Sequence, residues 1–392
     1  MNLDAFAKSP IGKLVPISGL DPSTGRQFSH KAFVPDPLSP AAPELEADTW
    51  GLISRASLAL GRLDQAGRQI PDPRLLLRPS LRREAVSTSA LEGTFAPFQE
   101  VLEADVAEGE AEPSPAIREI LNYVGMAEAG LGWIKERPIS VGMLCELQAI
   151  LVRGTPGDAR DAGRIRELQV VIGAEGTRVE DARFVPPPPG DQLVAGLRAW
   201  ESWLQEDHGI DPVVAVALAH YQLEALHPFA DGNGRLGRLV VVLQLIRSGV
   251  LSEGLLTISP WLEQRRREYQ DHLLAVSQSG EFDPWVRFMA LALQVQADAA
   301  TAQIEALLEF QESMRELARE YPLRGVAARI AEDLIGRPVV TASAASRMYG
   351  VTFQAANSAI SRLVRAGVLR ETTGRSYGRI FVAPKVLGII GG

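Results

Sequence analysis

Apolar residues recur at helical spacing along most of the chain from about position 49 onward. In the stretches 50–67, 116–134 and 140–154, apolar side chains lie three and four positions apart, as in an amphipathic helix. The segments 212–226 and 235–249 are more strongly apolar, and this predicts helices that are buried on several sides. The pattern therefore predicts a mainly α-helical fold.

One region interrupts the helical pattern, and the first residues lack it. The short β-branched run ELQVVIG is followed by a glycine-containing turn and ARFV, which predicts a small β-hairpin, or flap, over 167–185. Four prolines at 186–189 then favour an extended polyproline segment. Residues 1–48 are rich in Pro, Ser and Gly with weak periodicity, and we expect an extended arm there.

The last part of the chain has a separate charge balance. Residues 321–392 hold ten Lys/Arg and three Asp/Glu, a net charge of +7, whereas the whole chain carries −8. Their pattern predicts a helix, then two helices around the turn YGVT, then two short strands that form a wing. We predict five segments: an extended N-terminal arm (1–48), an N-terminal helical region (49–130), a core (131–283), a helical connector (284–320) and a C-terminal domain (321–392).

Composition narrows the class of protein. The 392 residues are 46% hydrophobic, which is enough for a large core and more than one domain. Cys145 is the only cysteine, so an intrachain disulfide is excluded. No stretch approaches the ~18 uninterrupted apolar residues of a membrane span, and the N-terminus lacks the apolar core of a signal peptide. We expect a soluble, cytoplasmic protein without a membrane partner.

The most informative segment is HPFADGNGRLGR at 227–238. Pro228 disfavours helical backbone at His227, so we expect the preceding helix to end near Leu226. Glycines allow a tight turn, and a second helix is predicted to start near Gly234. Helix N-termini present unpaired N–H groups and the positive end of a dipole, which suit a phosphate.

The charged residues of this segment fit a phosphate site. Arg235 and Arg238 lie three positions apart and so share one side of the predicted helix. Asp231 would repel a phosphate unless a cation lay between them, and Mg²⁺ held by one carboxylate and phosphates is the expected arrangement. His227 stands at the entrance of the loop and could take up a proton near neutral pH.

Other interpretations of the same residues are weaker. GNGRLG matches the dinucleotide pattern GxGxxG, but that pattern needs a preceding strand, and the preceding residues here are helical. His220, Glu224 and His227 could suggest a metal site, yet their spacing is not HExxH, and His220 is better explained as a core residue.

The segment resembles the Fic family motif HPFx[DE]GNGRxxR without a mismatch. The resemblance extends to the flap and the proline run, to the helix AHYQLEAL before the motif, and to SPWLEQRRREYQDHL after it. The stretch STSALEGT, with Thr88, Glu92 and Gly93, resembles the inhibitory helix of one class of Fic proteins. The C-terminal pattern resembles the winged helix-turn-helix domain that ends many of them. The resemblance thus makes 131–283 a Fic catalytic core.

The resemblance implies a protein adenylyltransferase. Such an enzyme transfers AMP from ATP to a Ser, Thr or Tyr hydroxyl of a target protein and releases pyrophosphate. It implies His227 as the general base and Asp231 as the residue that holds Mg²⁺ on the phosphates. It also implies nucleotide-binding roles for Gly232, Asn233, Gly234, Arg235, Arg238 and Tyr269.

The resemblance also implies control of this activity. Glu92 would pair with Arg238 and deny that arginine to the γ-phosphate of ATP. Flap residues 168–172 would align the target by adding its backbone as a strand. Relatives often have Tyr-Tyr where this chain has Tyr269 and Gln270, which leaves the choice between ATP and other nucleotides open.

Several alternatives follow from the same features. The site could transfer UMP, or it could remove AMP from a modified target. The chain could instead be a nucleotide-sensing regulator that binds DNA through its C-terminal domain, with Gln354, Asn357, Arg362 and Arg365 as polar candidates on the recognition helix. The expected partners are ATP and an unidentified protein target, with the chain itself, DNA and a second copy in a homodimer as further candidates.

Overall fold

The computed structural model describes residues 1–20, 25, 27–69, 72–106, 112–158, 161–173, 177–320, 323–374 and 378–391. Helices dominate, which confirms the predicted fold class. The helices in this described part are α1 (Leu3–Phe6), α2 (Ala47–Arg68), α3 (Pro73–Leu91), α4 (Phe98–Ala104), α5 (Pro115–Trp133), α6 (Val141–Leu151), α7 (Asp191–Gln205), α8 (Pro212–Leu226), α9 (Asn233–Arg247), α10 (Ser259–Gln264), α11 (Arg266–Ser279), α12 (Asp283–Glu320), α13 (Val326–Asp333), α14 (Ala342–Tyr349), α15 (Phe353–Arg365) and α16 (Pro384–Gly391).

The chain forms two compact units, each assembled from separate segments. The first unit comprises Met1–Leu60, Gly125–Leu251 and Trp261–Val295. The second unit comprises Gly61–Val124, Ser252–Pro260 and Gln296–Gly392. The five segments predicted from the sequence remain predictions.

Helix α8 lies at the centre of the first unit, and nearly all of its side chains are buried. It starts where the sequence signals a helix N-terminus: the Asp211 side chain accepts a hydrogen bond from Val213 N at 2.8 Å, and Pro212 occupies the first turn. Trp200 of α7 and Trp285 of α12 donate their indole N–H groups to carbonyl oxygens of α8, at 3.0 and 2.8 Å. The predicted burial of α8 on several sides is thereby confirmed.

The N-terminal segment differs from the predicted arm in being a regular hairpin. Strands β1 (Gly12–Leu20) and β2 (Gln27–Pro35) pair antiparallel, with Gly12 opposite Pro35. Phe33 is fully buried, and its ring centroid lies 5.2 Å from that of Phe6 and 6.0 Å from that of Phe184. Burial of these three rings, together with the strand pairing, gives the segment an order that its weak periodicity did not indicate.

The two strands predicted for the flap do not form in the described residues. Ile172 and Phe184 form an isolated antiparallel bridge, and a short 3₁₀ turn covers Val179–Asp181. Residues 174–176 of the predicted hairpin lie outside the described part. Continuing the ladder in this register would pair Val170 with Pro186, and a proline has no N–H group to donate. The proline run therefore prevents the ladder from continuing on this side of the bridge.

The second unit contains a helix-turn-helix followed by a small sheet. Helix α14 and helix α15 are joined through residues 350–352, and the Thr352 side chain caps α15 by accepting a hydrogen bond from Ala355 N. Strands β3 (Val339–Val340), β4 (Arg370–Glu371) and β5 (Phe381–Val382) form an antiparallel sheet in the order β3-β5-β4. Residues 375–377 of the predicted wing lie outside the described part.

In the parts of the chain that the structure describes, no helix is both long enough and apolar enough to cross a membrane.

The ring cluster around Phe33 gives a test of the N-terminal hairpin. Replacing Phe33 by Ala leaves a cavity among buried rings and should lower the free energy of unfolding by about 3–5 kcal/mol. Phe95→Ala is the matched control, because that ring is 69% exposed and should cost less than about 0.5 kcal/mol. Urea titration of both variants measures the difference. Equal destabilisation would mean that the hairpin does not depend on this cluster.

Candidate active site

The loop between α8 and α9 reverses the chain at the end of a buried helix. Helix α8 ends at Leu226 as predicted, and His227 adopts left-handed backbone with φ 49° and ψ 63°. Few non-glycine residues adopt this conformation, and it is usually maintained by the surrounding structure. Gly232 is also left-handed, at φ 88°, and α9 begins at Asn233. The predicted turn and second helix are therefore confirmed.

Two buried amides hold the loop in place. The Asn233 side chain accepts a hydrogen bond from Phe229 N at 2.9 Å and donates one to Phe229 O at 2.8 Å. The Gln148 side chain of α6 donates to Asp231 O at 3.1 Å and accepts from Gly163 N at 2.6 Å. The family resemblance implies a nucleotide-binding role for Asn233, whereas nothing in the sequence marks Gln148. A glutamine in an amphipathic helix gives no signal of such a contact.

The glycine at 232 is needed for close packing as well as for its backbone conformation. A Cβ atom at this position would lie 2.6 Å from Leu151 Cδ2, at the end of α6. The loop therefore lies directly against α6, and the same helix supplies Gln148 to it. A larger residue at 232 would have to displace the loop from this helix.

The charged residues predicted for phosphate binding lie at the start of α9. Asp231 and Arg235 form an ion pair of 3.0 Å, with the Asp231 side chain 45% exposed and that of Arg235 4% exposed. Arg238 is also buried, at 2% exposure. Asp231 offsets one of these two cations, and the N-terminal end of the helix dipole adds positive potential beside them. The arrangement therefore suits an anionic ligand at this helix end.

His220 and Tyr269 belong to a buried aromatic cluster behind the loop. The ring of His220 stacks with those of Tyr269 and Trp285, at centroid distances of 5.9 and 6.0 Å. Burial, with a smaller contribution from the nearby charge of Arg238, lowers the pKa of His220 to about 3, so its ring is neutral. His220 Nδ1–H then donates to Gly237 O at 3.2 Å, and the Tyr269 hydroxyl donates to His220 Nε2 at 2.7 Å.

This cluster bears on two interpretations of the sequence. Among the described residues, no group of three or more His, Cys, Asp or Glu side chains could hold a metal ion, so His220, Glu224 and His227 do not form one. Tyr269 is 5% exposed, and its hydroxyl is directed to His220. Its nucleotide contact remains a prediction.

The flap is fixed at both of its ends. Arg166 is buried at 2% exposure, and its side chain donates hydrogen bonds to backbone carbonyl oxygens of His227, Leu168 and Pro187. At the other end, Arg183 forms an ion pair with Asp271 of α11. Nothing in the sequence marks Arg166 as a buried contact residue. Its only signal is an arginine directly before a β-branched run, and that signal does not distinguish a buried arginine from an exposed one.

Comparison with known proteins agrees with this geometry. Residues 50–132 match the Fic/DOC family N-terminal domain, and residues 138–245 match the Fic/DOC family domain. Both Fic/DOC family domains are therefore present in this chain. The second match contains the loop, Gln148, Arg166, helix α8 and all of α9 except its last two residues.

Individual relatives show how far the likeness extends. Over 135 residues the chain is 37% identical to the protein adenylyltransferase Fic of Drosophila virilis and 38% identical to that of Drosophila yakuba. Each match covers 34% of this chain and 24% of the relative, so the chain spans about a quarter of the curated relatives' length. A Fic family protein from Desulfovibrio desulfuricans G20 shares the fold, with a TM-score of 0.56, 21% identity, and coverage of 87% of this chain and 97% of that one.

The predicted inhibitory residue, Glu92, lies just after α3. Helix α3 ends at Leu91, and Glu92 is exposed in the turn that follows, where its N–H donates to Ser89 O at 3.0 Å. Gly93 takes a positive φ of 97°. Glu92 belongs to the second unit and Arg238 to the first, and their pairing remains a prediction.

The donors near α9 are compatible with the predicted Mg²⁺. Asp231 is partly exposed beside a helix N-terminus, so one carboxylate lies where a bound phosphate would lie. Mg²⁺ is commonly bound by one or two carboxylates together with substrate phosphates and water. A dedicated cluster of protein ligands is therefore not required.

The neutral, buried His220 predicts acid-sensitive folding. In the unfolded chain its imidazole binds a proton near the ordinary pKa of about 6.5, whereas the folded protein lowers that pKa to about 3. The unfolded state binds more protons between these values, so stability falls as the pH falls from about 6.5 toward 3. We expect His220→Gln to flatten the slope of unfolding free energy against pH by up to about 1.4 kcal/mol per unit.

Urea titrations between pH 6.5 and 5 measure this slope above the range where most carboxylates titrate. A slope that is the same in the wild type and in His220→Gln would contradict a neutral His220 in the folded protein.

Proposed function

We propose that the protein is an adenylyltransferase that attaches AMP from ATP to a hydroxyl group of a target protein. The observation that carries this proposal is the loop 227–238, where a left-handed His227 precedes a helix N-terminus with two buried arginines. Relatives that match 135 residues of the chain are named protein adenylyltransferases. Phosphoryl-type transfer depends mostly on positioning the reactants and neutralising the charge on the phosphates, and these residues are suited to both tasks.

His227 is the proposed general base. It would take the proton from the target hydroxyl as that oxygen forms a bond to the α-phosphorus of ATP. The bond between the α-phosphorus and the bridging oxygen of the β-phosphate breaks, and pyrophosphate leaves with the electron pair. An imidazole suits this step because its ordinary pKa lies near physiological pH.

The N-terminus of α9 is the proposed phosphate site. Backbone N–H groups of 232–234, Arg235 and Arg238 would contact phosphate oxygens, with Arg238 on the γ-phosphate. Asp231 would hold Mg²⁺, which when bound neutralises charge on the α- and β-phosphates. The ion pair between Asp231 and Arg235 supports this assignment, because it holds the carboxylate and the guanidinium beside the helix end before a ligand arrives.

The flap is the proposed docking strand for the target. Leu168 is 61% exposed at the start of this segment, and the described flap residues form only one bridge within the flap. An extended target segment could pair with such backbone, which selects for main chain more than for side chains. A target segment paired with the flap in this way would place its acceptor hydroxyl near His227.

Glu92 is the proposed inhibitory residue, acting by pairing with Arg238 and denying it to the γ-phosphate. ATP would then bind in an unproductive position. Removing the carboxylate should therefore raise the rate of transfer rather than lower it, which separates inhibition from an ordinary structural role.

Labelling with ATP that carries a radioactive α-phosphate tests this function. Wild type, Glu92→Gly and Glu92→Gly/His227→Ala are incubated with Mg²⁺ and a lysate as the source of target, and label on protein is counted. We expect weak label in the wild type, at least about tenfold more in Glu92→Gly, and a loss of about 10²–10⁴-fold when His227 is also removed.

The controls separate the alternatives. UTP labelled in the same way tests UMP transfer, and loss of label from a premodified target over time tests removal of AMP. Label that is equal in the two Glu92→Gly variants would exclude His227 as the base. No label from ATP in any variant that still binds MgATP would contradict the adenylyltransferase proposal.

We propose contact with DNA as a second function, for a winged helix-turn-helix formed by 326–382. The net charge of +7 over residues 321–392 favours it, as does the exposed side of α15 with Gln354, Ser358 and Arg365. Arg379 donates to Asn357 of α15 at 3.1 Å, so the segment before β5 closes against the proposed recognition helix.

Anisotropy of a labelled random-sequence duplex with the full chain tests this role. Binding should weaken as salt rises, and Arg365→Ala should reduce the slope of log Kd against log salt by about one. Arg315→Ala on α12 removes the same charge elsewhere and should leave that slope unchanged. Failure to bind at low salt would contradict a role in DNA contact.

A further inference from the structure

Arg166 connects three separate backbone segments of the first unit. Its Nε atom donates to His227 O at 2.8 Å, and one terminal nitrogen donates to Pro187 O at 2.6 Å. The other terminal nitrogen donates to Leu168 O at 3.3 Å. The Arg166 backbone N–H adds a bond to Pro228 O at 2.9 Å. One residue therefore contacts the motif loop, Leu168 at the start of the flap, and the proline run.

A buried arginine with only carbonyl acceptors is unusual. Arg166 is 2% exposed, and within the described part of the chain its hydrogen bonds run to backbone oxygens rather than to a carboxylate. Burial lowers its pKa to about 10, so the side chain is still protonated at neutral pH. Burying a charge without a counter-ion is costly, and an apolar residue would fill the same space at lower cost. Packing alone therefore does not explain this arginine, and its hydrogen-bond geometry points to a further role.

The contact with His227 fixes both sides of that residue's backbone. His227 N donates to Leu223 O at 3.0 Å, which ties it to α8, and its carbonyl oxygen accepts from Arg166. Between these bonds the residue holds a left-handed φ of 49°. The direction of the imidazole follows from this backbone, so it depends on where Arg166 holds the carbonyl.

The contacts with Leu168 and Pro187 fix the position of the flap relative to the same guanidinium that holds the His227 carbonyl. Leu168 lies at the start of the flap, and Pro187 lies just after its end. Because the guanidinium is planar and rigid, its donors set the separation of the three carbonyl oxygens. A shift of the flap would therefore move the Arg166 side chain and, with it, the His227 carbonyl.

We propose that Arg166 is a positioning residue that couples the flap to His227, so that the docked target and the base keep a fixed relation. This rests on the proposed function, in which the flap holds the target and His227 accepts its proton. Arg166 is buried and donates to backbone oxygens, so we place it outside the contacts with either substrate. Its loss should therefore slow the transfer step without weakening the binding of MgATP.

Kinetics in the Glu92→Gly background test the consequence. Arg166→Met keeps the length of the side chain and removes its donors, whereas Arg166→Lys keeps a charge and some donors. With saturating MgATP, we expect the rate of labelling to fall about 10–100-fold in Arg166→Met. The Kd for MgATP should change less than about threefold, and Arg166→Lys should restore part of the rate. An unchanged labelling rate in folded Arg166→Met would overturn the positioning role.

Hydrogen exchange tests the coupling without relying on transfer. In Arg166→Met, amides of 167–173 and of 227–233 should both exchange faster, by roughly 10–100-fold. Gln169→Leu is the matched control, because Gln169 Nε2 donates to Val170 O at 2.9 Å and to Pro186 O at 3.0 Å, which are contacts within the flap and with the proline run rather than with the loop at His227. It should speed exchange in 167–173 and leave 227–233 unchanged.

The two measurements separate the two proposals. Unchanged exchange at 227–233 in Arg166→Met would overturn the coupling even if AMP transfer is observed. Coupled exchange without any transfer by Glu92→Gly would support the coupling and refute the adenylyltransferase function. Thermal unfolding of each variant identifies one that fails to fold, and Arg166→Lys then carries the test.

Discussion

The reversal of the chain between α8 and α9 is the constraint on which the site depends. It takes place within a few residues at the end of a buried helix, with left-handed backbone at both His227 and Gly232. Such a loop has strained backbone and many polar groups away from water, so its hydrogen bonds must be made by protein atoms. Three buried side chains supply them: Asn233 from within the loop, Gln148 from α6 and Arg166 from the start of the flap.

This construction explains why the chemistry lies on a loop of a helical protein. The helices α8 and α9 are mostly apolar and rigid, and the loop between them is held by contacts from α6 and from the flap. Asp231, Arg235 and Arg238 lie at the start of α9, where the helix dipole favours the binding of an anion. The proposed base, the proposed phosphate site and the flap then share one set of hydrogen bonds, so that moving one part strains the others.

Much of this could be predicted from the sequence, because the signals are local. Pro228 ends α8, the glycines permit the turn, and apolar spacing gives the helices. The contacts that hold the loop are not local. Gln148 and Arg166 act from 83 and 61 residues away from their partners in the loop, and neither residue type marks such a contact. The N-terminal hairpin was missed for a similar reason, since its order depends on the burial of Phe33 against Phe6 and Phe184. The flap strands were overpredicted because the prolines that follow cannot continue a ladder.

In the proposed function, ATP binds with its phosphates at the N-terminus of α9, facing His227. A crystal structure of Glu92→Gly with Mg²⁺ and an ATP analogue that cannot be cleaved between the α- and β-phosphates tests it most directly. We expect phosphate oxygens on the backbone N–H groups of 232–234, Arg235 and Arg238, with the α-phosphorus facing the His227 imidazole. A triphosphate bound elsewhere on the chain, or one with its α-phosphorus turned away from His227, would contradict it.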